Sequence, residues 1–213
     1  MKRAGGIEFD DGVLSTIFFY ELRWLCENIK RNTDVLFETC KVPDEGFIIQ
    51  INPQMHSVIS SVLSDAANIK KLSVTASAKL NGENSERHQM RLARAKAVED
   101  FLRGISLIEM HNVKVRNTLE HFAEYLDASN LEFTKKPKGT RAAYNMIMSH
   151  WSVNGPKVYP IRLYVSSERK FYNMEWVVDI GLLAYEAMAI LNKFASEKTF
   201  GNDEGPSGIL ISV

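Results

Sequence analysis

Val115, Leu119, Phe122 and Leu126 recur at spacings of four, three and four within HNVKVRNTLEHFAEYLD, residues 111–127. That rhythm suits a helix lying with one face on a core, and it obliges the rest of the chain to supply partners for the stripe. The opposite side carries Arg116, Asn117, Glu120, His121 and Glu124. Asn117 and His121, four apart, lie one above the other, and Arg116 and Glu120 form the neighbouring row. Arg116 and His121 diverge by about 140° with roughly 7.5 Å of rise, which lets two long side chains line one cleft. Upstream, Ser106-Leu107-Ile108-Glu109 has the form of a capping box, so the helix is expected over about 107–127.

Its partners are legible as further periodic stretches. Leu14, Phe18, Leu22, Leu25 and Ile29 mark a first helix over about 12–31, with Asp10 or Asp11 as N-cap. Asn52-Pro53 is a helix start, and Met55, Ile59, Val62, Ala66 and Ile69 carry it to about residue 72. His56, in its first turn, reads as an incidental surface residue. A third helix over about 85–103, with Met90, Ala93, Ala97 and Phe101 inward, stops at Gly104. Arg87, Arg91 and Arg94 form a basic stripe along it, suited either to a solvated face or to phosphate contacts along an RNA backbone. Lys135, Lys136 and Lys138 lie in a loop around Pro137 and Gly139, either solvated or a mobile phosphate clamp.

Later segments change character. KVYPIRLYV and KFYNMEW bracket SSER and read as a small hairpin over about 158–175, with Tyr159, Ile161 and Leu163 alternating. A last helix is expected over about 176–198. Residues 32–51 read as irregular, and 142–158 carries no clear period. The expected fold is therefore mainly α: an antiparallel helical bundle with a small C-terminal hairpin. A single domain spans 12–200, between a loose leader, 1–11, and a flexible tail, 201–213.

Composition narrows the function classes. The 213 residues carry 26 basic and 26 acidic side chains, so no global field captures nucleic acid and any RNA surface must be a local patch. Cys26 and Cys40 are the only cysteines, too few for a disulfide framework; reduced thiols and a cytoplasmic location are expected. No apolar run is long enough to span a membrane, and the basic N-terminus has no apolar segment behind it to make a signal peptide. The histidines show no metal-site spacing, so no metal or other cofactor is expected.

Arg116-Asn117-Thr118-Leu119-Glu120-His121 resembles the R-N-x-x-x-H signature of the HEPN superfamily, and Phe122-Ala123-Glu124 with Leu126-Asp127 resembles the residues that often follow it. The likeness covers about residues 106–128; elsewhere it rests on helix order. It implies a helical homodimer whose paired Arg and His line a cleft, acting as a metal-independent endoribonuclease, a toxin or defence effector, with RNA as substrate. It also admits a nucleotidyltransferase-type antitoxin as partner. On this reading Arg116 grips the phosphate, Asn117 donates a hydrogen bond or fixes the imidazole, and His121 moves the proton. The alternative within the family is a catalytically silent module that binds nucleotide, RNA or protein in the same cleft. From a different class, a plain helical scaffold would leave Arg116 and His121 pointing apart into solvent.

Overall fold

Asn52 starts the second helix as its sequence suggests: its side-chain oxygen accepts the Met55 N–H at 3.2 Å, and Pro53 follows at the first helical position. The computed structural model describes residues 13–112, 114–154 and 157–197. The expected leader and tail, the Asp10/Asp11 cap and the side chain of Leu14 lie outside what it describes. Among the described residues the elements in chain order are α1 (Val13–Thr39), β1 (Ile49–Gln50), α2 (Pro53–Ser73), α3 (Ser85–Leu102), α4 (Lys114–Glu120), α5 (Phe122–Thr134), β2 (Arg141–Met148), β3 (Val158–Val165), β4 (Lys170–Asn173), β5 (Trp176–Asp179) and α6 (Ile180–Glu197). A short 3-10 turn, Trp151–Asn154, lies between β2 and β3.

The fold is helix-rich, but it is not a bundle with a small hairpin. Five strands form one mixed sheet in the order β1-β2-β3-β4-β5. β3–β4 is the expected hairpin; β2 pairs parallel to β3, and β1 closes the other edge antiparallel to β2. Leu22, Ile29 and Leu36 of α1, Ile59 and Val62 of α2, and Leu183 and Ile190 of α6 bury themselves with Ile147, Tyr164, Phe171 and Val178 from one sheet face. The other face holds a smaller cluster around Ala143, Met148, Leu163 and Val165, with Met146 and Trp151 packed on it. β2 escapes notice in the sequence because RAAYNMIM is poor in β-branched residues and its alternation is broken. Ala143 and Met148, five apart, pack into the same cluster, so the strand changes phase between them.

The last helix begins at Ile180 and not near 176, because Trp176–Asp179 pair with β4 as β5; three further helices depart from expectation. α1 continues eight residues past 31, through Asn32-Thr33-Asp34, because Leu36 is fully buried there; burial overrides weak local propensity. The third helix is rotated: Ala95, Val98 and Leu102 are its buried residues, and Phe101 stacks at the margin between Phe19 and Phe194, at 5.3 and 4.5 Å. The expected helix over 107–127 is the largest correction. Residues 108–111 form a turn, because the buried carboxylate of Glu186 on α6 accepts the N–H of Glu109 at 3.0 Å and of Met110 at 2.7 Å. A capping box therefore loses to a charged acceptor from across the fold. The remainder divides at His121 (φ −101°, ψ 40°) into α4 and α5.

Candidate functional site

The break at His121 separates the residues of the R-N-x-x-x-H stretch. Val115 is fully buried and Leu119 packs against the main core, which fixes the rotation of α4. Arg116 consequently turns into a cleft, where it pairs with Glu120 one turn on. This is the i,i+4 pair that a simple polar face would also make. His121 lies outside the cleft lining with its side chain 61% exposed, 3.8 Å from Glu124. Asn117 is half-buried and does not line the cleft either. Within one chain, then, the expected catalytic trio is not gathered into one pocket.

What does meet Arg116 comes from α2, from the expected hairpin and from β2, the one of these that the sequence left unassigned. The cleft, about 550 Å³, lies between α2, α4 and the sheet. From α2 it receives His56, Ser57, Ser60 and Ser64, spaced to fall on one helical face; Asn145, Arg162 and Phe171 come from β2, β3 and β4. Asn145 and Arg162 both hold left-handed backbone, with φ of +51° and +58°. They sit side by side on the parallel strands: Tyr144 pairs with Ile161 and Met146 with Leu163, and the ladder skips the residues between. Two adjacent strands thus kink at the same level, which accounts for the phase change along β2. Non-glycine residues held this way cost of order 1–3 kcal/mol each and cluster where function demands a particular direction.

The kink is braced from behind. Asn173 on β4, fully buried, accepts the Arg162 N–H at 3.0 Å and donates to Thr118 Oγ1 at 2.7 Å. Thr118 in turn donates to the Val115 carbonyl at 2.6 Å. One chain of hydrogen bonds therefore ties the backbone of Arg162 to the helix that carries Arg116. The Arg162 guanidinium lies 3.8 Å over the ring of Phe122, the residue that follows the helix break.

Several polar atoms here have no protein partner. Among the described residues, both ring nitrogens of His56, Oδ1 of Asn145 and Nε of Arg162 are buried without a hydrogen bond. Such groups are rare in folded proteins and call for a ligand or water. The His56 ring packs edge-on against Phe171, centroids 6.1 Å apart. Burial is the main force holding its pKa below the ordinary imidazole value; the nearby Arg162 charge adds to this, and the Asn145 backbone opposes it. His56 is thus a neutral donor–acceptor facing two guanidiniums and one carboxylate, and not an incidental surface histidine. Nothing in its spacing could reveal this, because its neighbours come from a strand kink far along the chain.

The basic stripe does not behave as a unit. Arg91 spends its donors internally: it grips Glu83 through Nε and Nη2 at 2.8 Å each and also reaches the carbonyls of Ala76 and Ala78. This binding of Arg91 holds the Glu83 carboxyl down at about 2. Arg94 donates to the Lys71 carbonyl and lies 5.6 Å from the Phe18 ring. Arg87 remains exposed beside them. In the loop after α5, Lys135 pairs with Glu132, Lys136 sits 5.5 Å over Tyr159, and Lys138 is exposed.

Cys26 and Cys40 are both buried free thiols, and burial pushes Cys40 up to about 11 and Cys26 further. Among the described residues no group of three or more His, Cys, Asp or Glu side chains could hold a metal ion, and no helix is long and apolar enough to cross a membrane. Comparison with protein-family models, curated proteins and solved structures returned no match for this chain.

Proposed function

We propose that the chain is a metal-independent endoribonuclease of HEPN type that attacks RNA through its own 2′-hydroxyl. The observation that carries the reading is Arg116. It stands on a helix anchored by Val115, is directed into a cleft of nucleotide dimensions and is joined there by a second guanidinium, Arg162. Paired forks of N–H donors suit a phosphate and the charge that develops on it in the transition state. His121 lies at the open end of the same helix, with an accessible ring of the side-chain type most used as a general acid or base. A second copy of the chain would add a second Arg116/His121 pair, supplying both the base for the 2′-hydroxyl and the acid for the leaving 5′-oxygen. RNA and a homodimer are accordingly the partners proposed, with a nucleotidyltransferase-type antitoxin as a further one.

A specific observation favours a second reading, the silent binding module. Asn117 and His121 do not share the cleft with Arg116 within one chain, so a protomer alone assembles a phosphate grip without the motif's own histidine. The two readings separate in one experiment: purified protein is incubated with mixed RNA and EDTA, beside His121→Ala. Ribonuclease activity predicts fragments ending in 2′,3′-cyclic phosphate, and loss of cleavage in a variant that still folds, since His121 supports no core contact. Full activity of His121→Ala or cleavage of DNA would reject the mechanism. RNA bound without cleavage selects the binding module.

A further inference from the structure

We infer that His56, Asn145 and Arg162, with Arg116, form a binding site for one nucleotide, its phosphate between the two arginines and its polar edge against His56 and Asn145. The site uses residues outside the R-N-x-x-x-H stretch and needs no catalysis. Only the choice of RNA as the natural source of the nucleotide rests on the ribonuclease reading.

Charge and hydrogen-bonding capacity argue for this ligand class together. Two guanidiniums face one carboxylate in the cleft, and that carboxylate, Glu120, is already paired with Arg116. The surplus cation is Arg162. Its guanidinium carbon lies 3.8 Å from the Phe122 ring centroid and its Nε has no hydrogen-bond partner, so its N–H groups are available to a phosphate. A bare anion would leave the remaining groups unanswered. The neutral imidazole of His56 offers one donor and one acceptor, with only the Asn145 backbone close to it and outside good hydrogen-bond geometry, and Asn145 Oδ1 is a further acceptor without a partner among the described residues. A ligand that answers all of these groups brings donors and acceptors as well as negative charge, as a nucleotide does. A lipid tail or a simple dicarboxylate does not. The cleft volume, about 550 Å³, lies within the range of roughly 300–1,000 Å³ typical of small-ligand sites. Phe171 and Leu119 supply apolar lining for a base or sugar.

The backbone adds an independent sign. Asn145 and Arg162 point into the cleft because both strands adopt left-handed backbone at the same level, and Asn173 and Thr118 hold Arg162 there. Of the four non-glycine residues with positive φ among the described residues, Asn145 and Arg162 are the two that line the cleft.

The test is calorimetric titration of the full chain with three probes: 5′-GMP, a fully 2′-O-methylated RNA hexamer that cannot be cleaved, and inorganic phosphate. Arg162→Gln removes the charge, and Asn145→Gly removes the amide from a position whose backbone glycine adopts freely. Each variant is expected to weaken nucleotide binding about tenfold or more, with the melting temperature of Asn145→Gly unchanged or raised. Tighter binding of the hexamer than of 5′-GMP identifies an RNA nucleotide. The reverse order, with the same dependence on both variants, supports the site but counts against RNA as its source, and so separates this inference from the ribonuclease reading. Binding unaltered in both variants, no binding of either nucleotide, or phosphate binding as tightly as 5′-GMP would overturn the inference.

Discussion

Replacing Asn173 by alanine tests whether the strand kink is held by design or tolerated by accident. Asn173 is fully buried and serves two partners, the Arg162 N–H at 3.0 Å and Thr118 Oγ1 at 2.7 Å. Its loss leaves the Arg162 N–H without a partner, and an unpaired buried group costs about 1–3 kcal/mol. Thr118 fares better, because it keeps its own donation to the Val115 carbonyl at 2.6 Å; losing an accepted bond costs nearer 1 kcal/mol. The sum is about 2–4 kcal/mol. For a chain of this length that lowers the melting temperature by roughly 4–16 °C. Urea unfolding should show a lower midpoint at an unchanged slope. Thr118→Val removes only the Thr118 half of the network, so a double-mutant cycle with Asn173→Ala should reveal coupling of about 1 kcal/mol. Asn173→Ala should also weaken nucleotide binding, although Asn173 does not line the cleft, because it fixes the backbone from which Arg162 projects. A stability change under about 0.5 kcal/mol, or a cycle additive to within about 0.3 kcal/mol, would refute the bracing role.

The remaining expectations concern pH and the basic stripe. Folding depresses the His56 pKa, chiefly by burial and then by the Arg162 charge, with Arg116 and Glu120 the other charged groups of the cleft. Its contribution to stability is therefore complete above the unfolded imidazole value of about 6.5 and is lost as pH falls through the folded value. His56→Gln should flatten the acid limb of a stability–pH profile relative to the parent chain, and an unchanged limb would show that the imidazole is not desolvated. Along α3, Arg87→Gln should lower RNA affinity and reduce the salt slope by about 0.7 for the lost single-strand phosphate contact. Arg91→Gln should instead loosen residues 75–83, seen as faster amide exchange there, because its donors serve that loop. Loss of RNA affinity in Arg91→Gln without faster exchange would mean that the guanidinium leaves Glu83 to meet RNA.

The sequence by itself determined the elements whose signals are local. Asn52-Pro53 started α2 because cap and proline act within one turn. Gly104, with φ of +90°, follows α3 as a residue without a Cβ should. The α2 stripe from Met55 to Ile69 packed as its period implied, and the β3–β4 hairpin followed from its branched and aromatic residues. Arg116 was legible as a cleft residue for the same reason: the Val115/Leu119 stripe sets the rotation of its helix. Tertiary structure decided everything that depended on a distant partner. Glu186, far along the chain, unmade the capping box at Ser106 by offering its carboxylate to two N–H groups, and no local window contains that acceptor. β2 was invisible because its kink at Asn145 erases the two-residue period that would have announced it. His56 looked incidental because its cleft is built by Asn145 and Arg162, which reach it only after parallel strands pair and bend together. Periodicity reports which face of an element is buried; only the packed chain decides which unpaired polar groups that burial brings face to face.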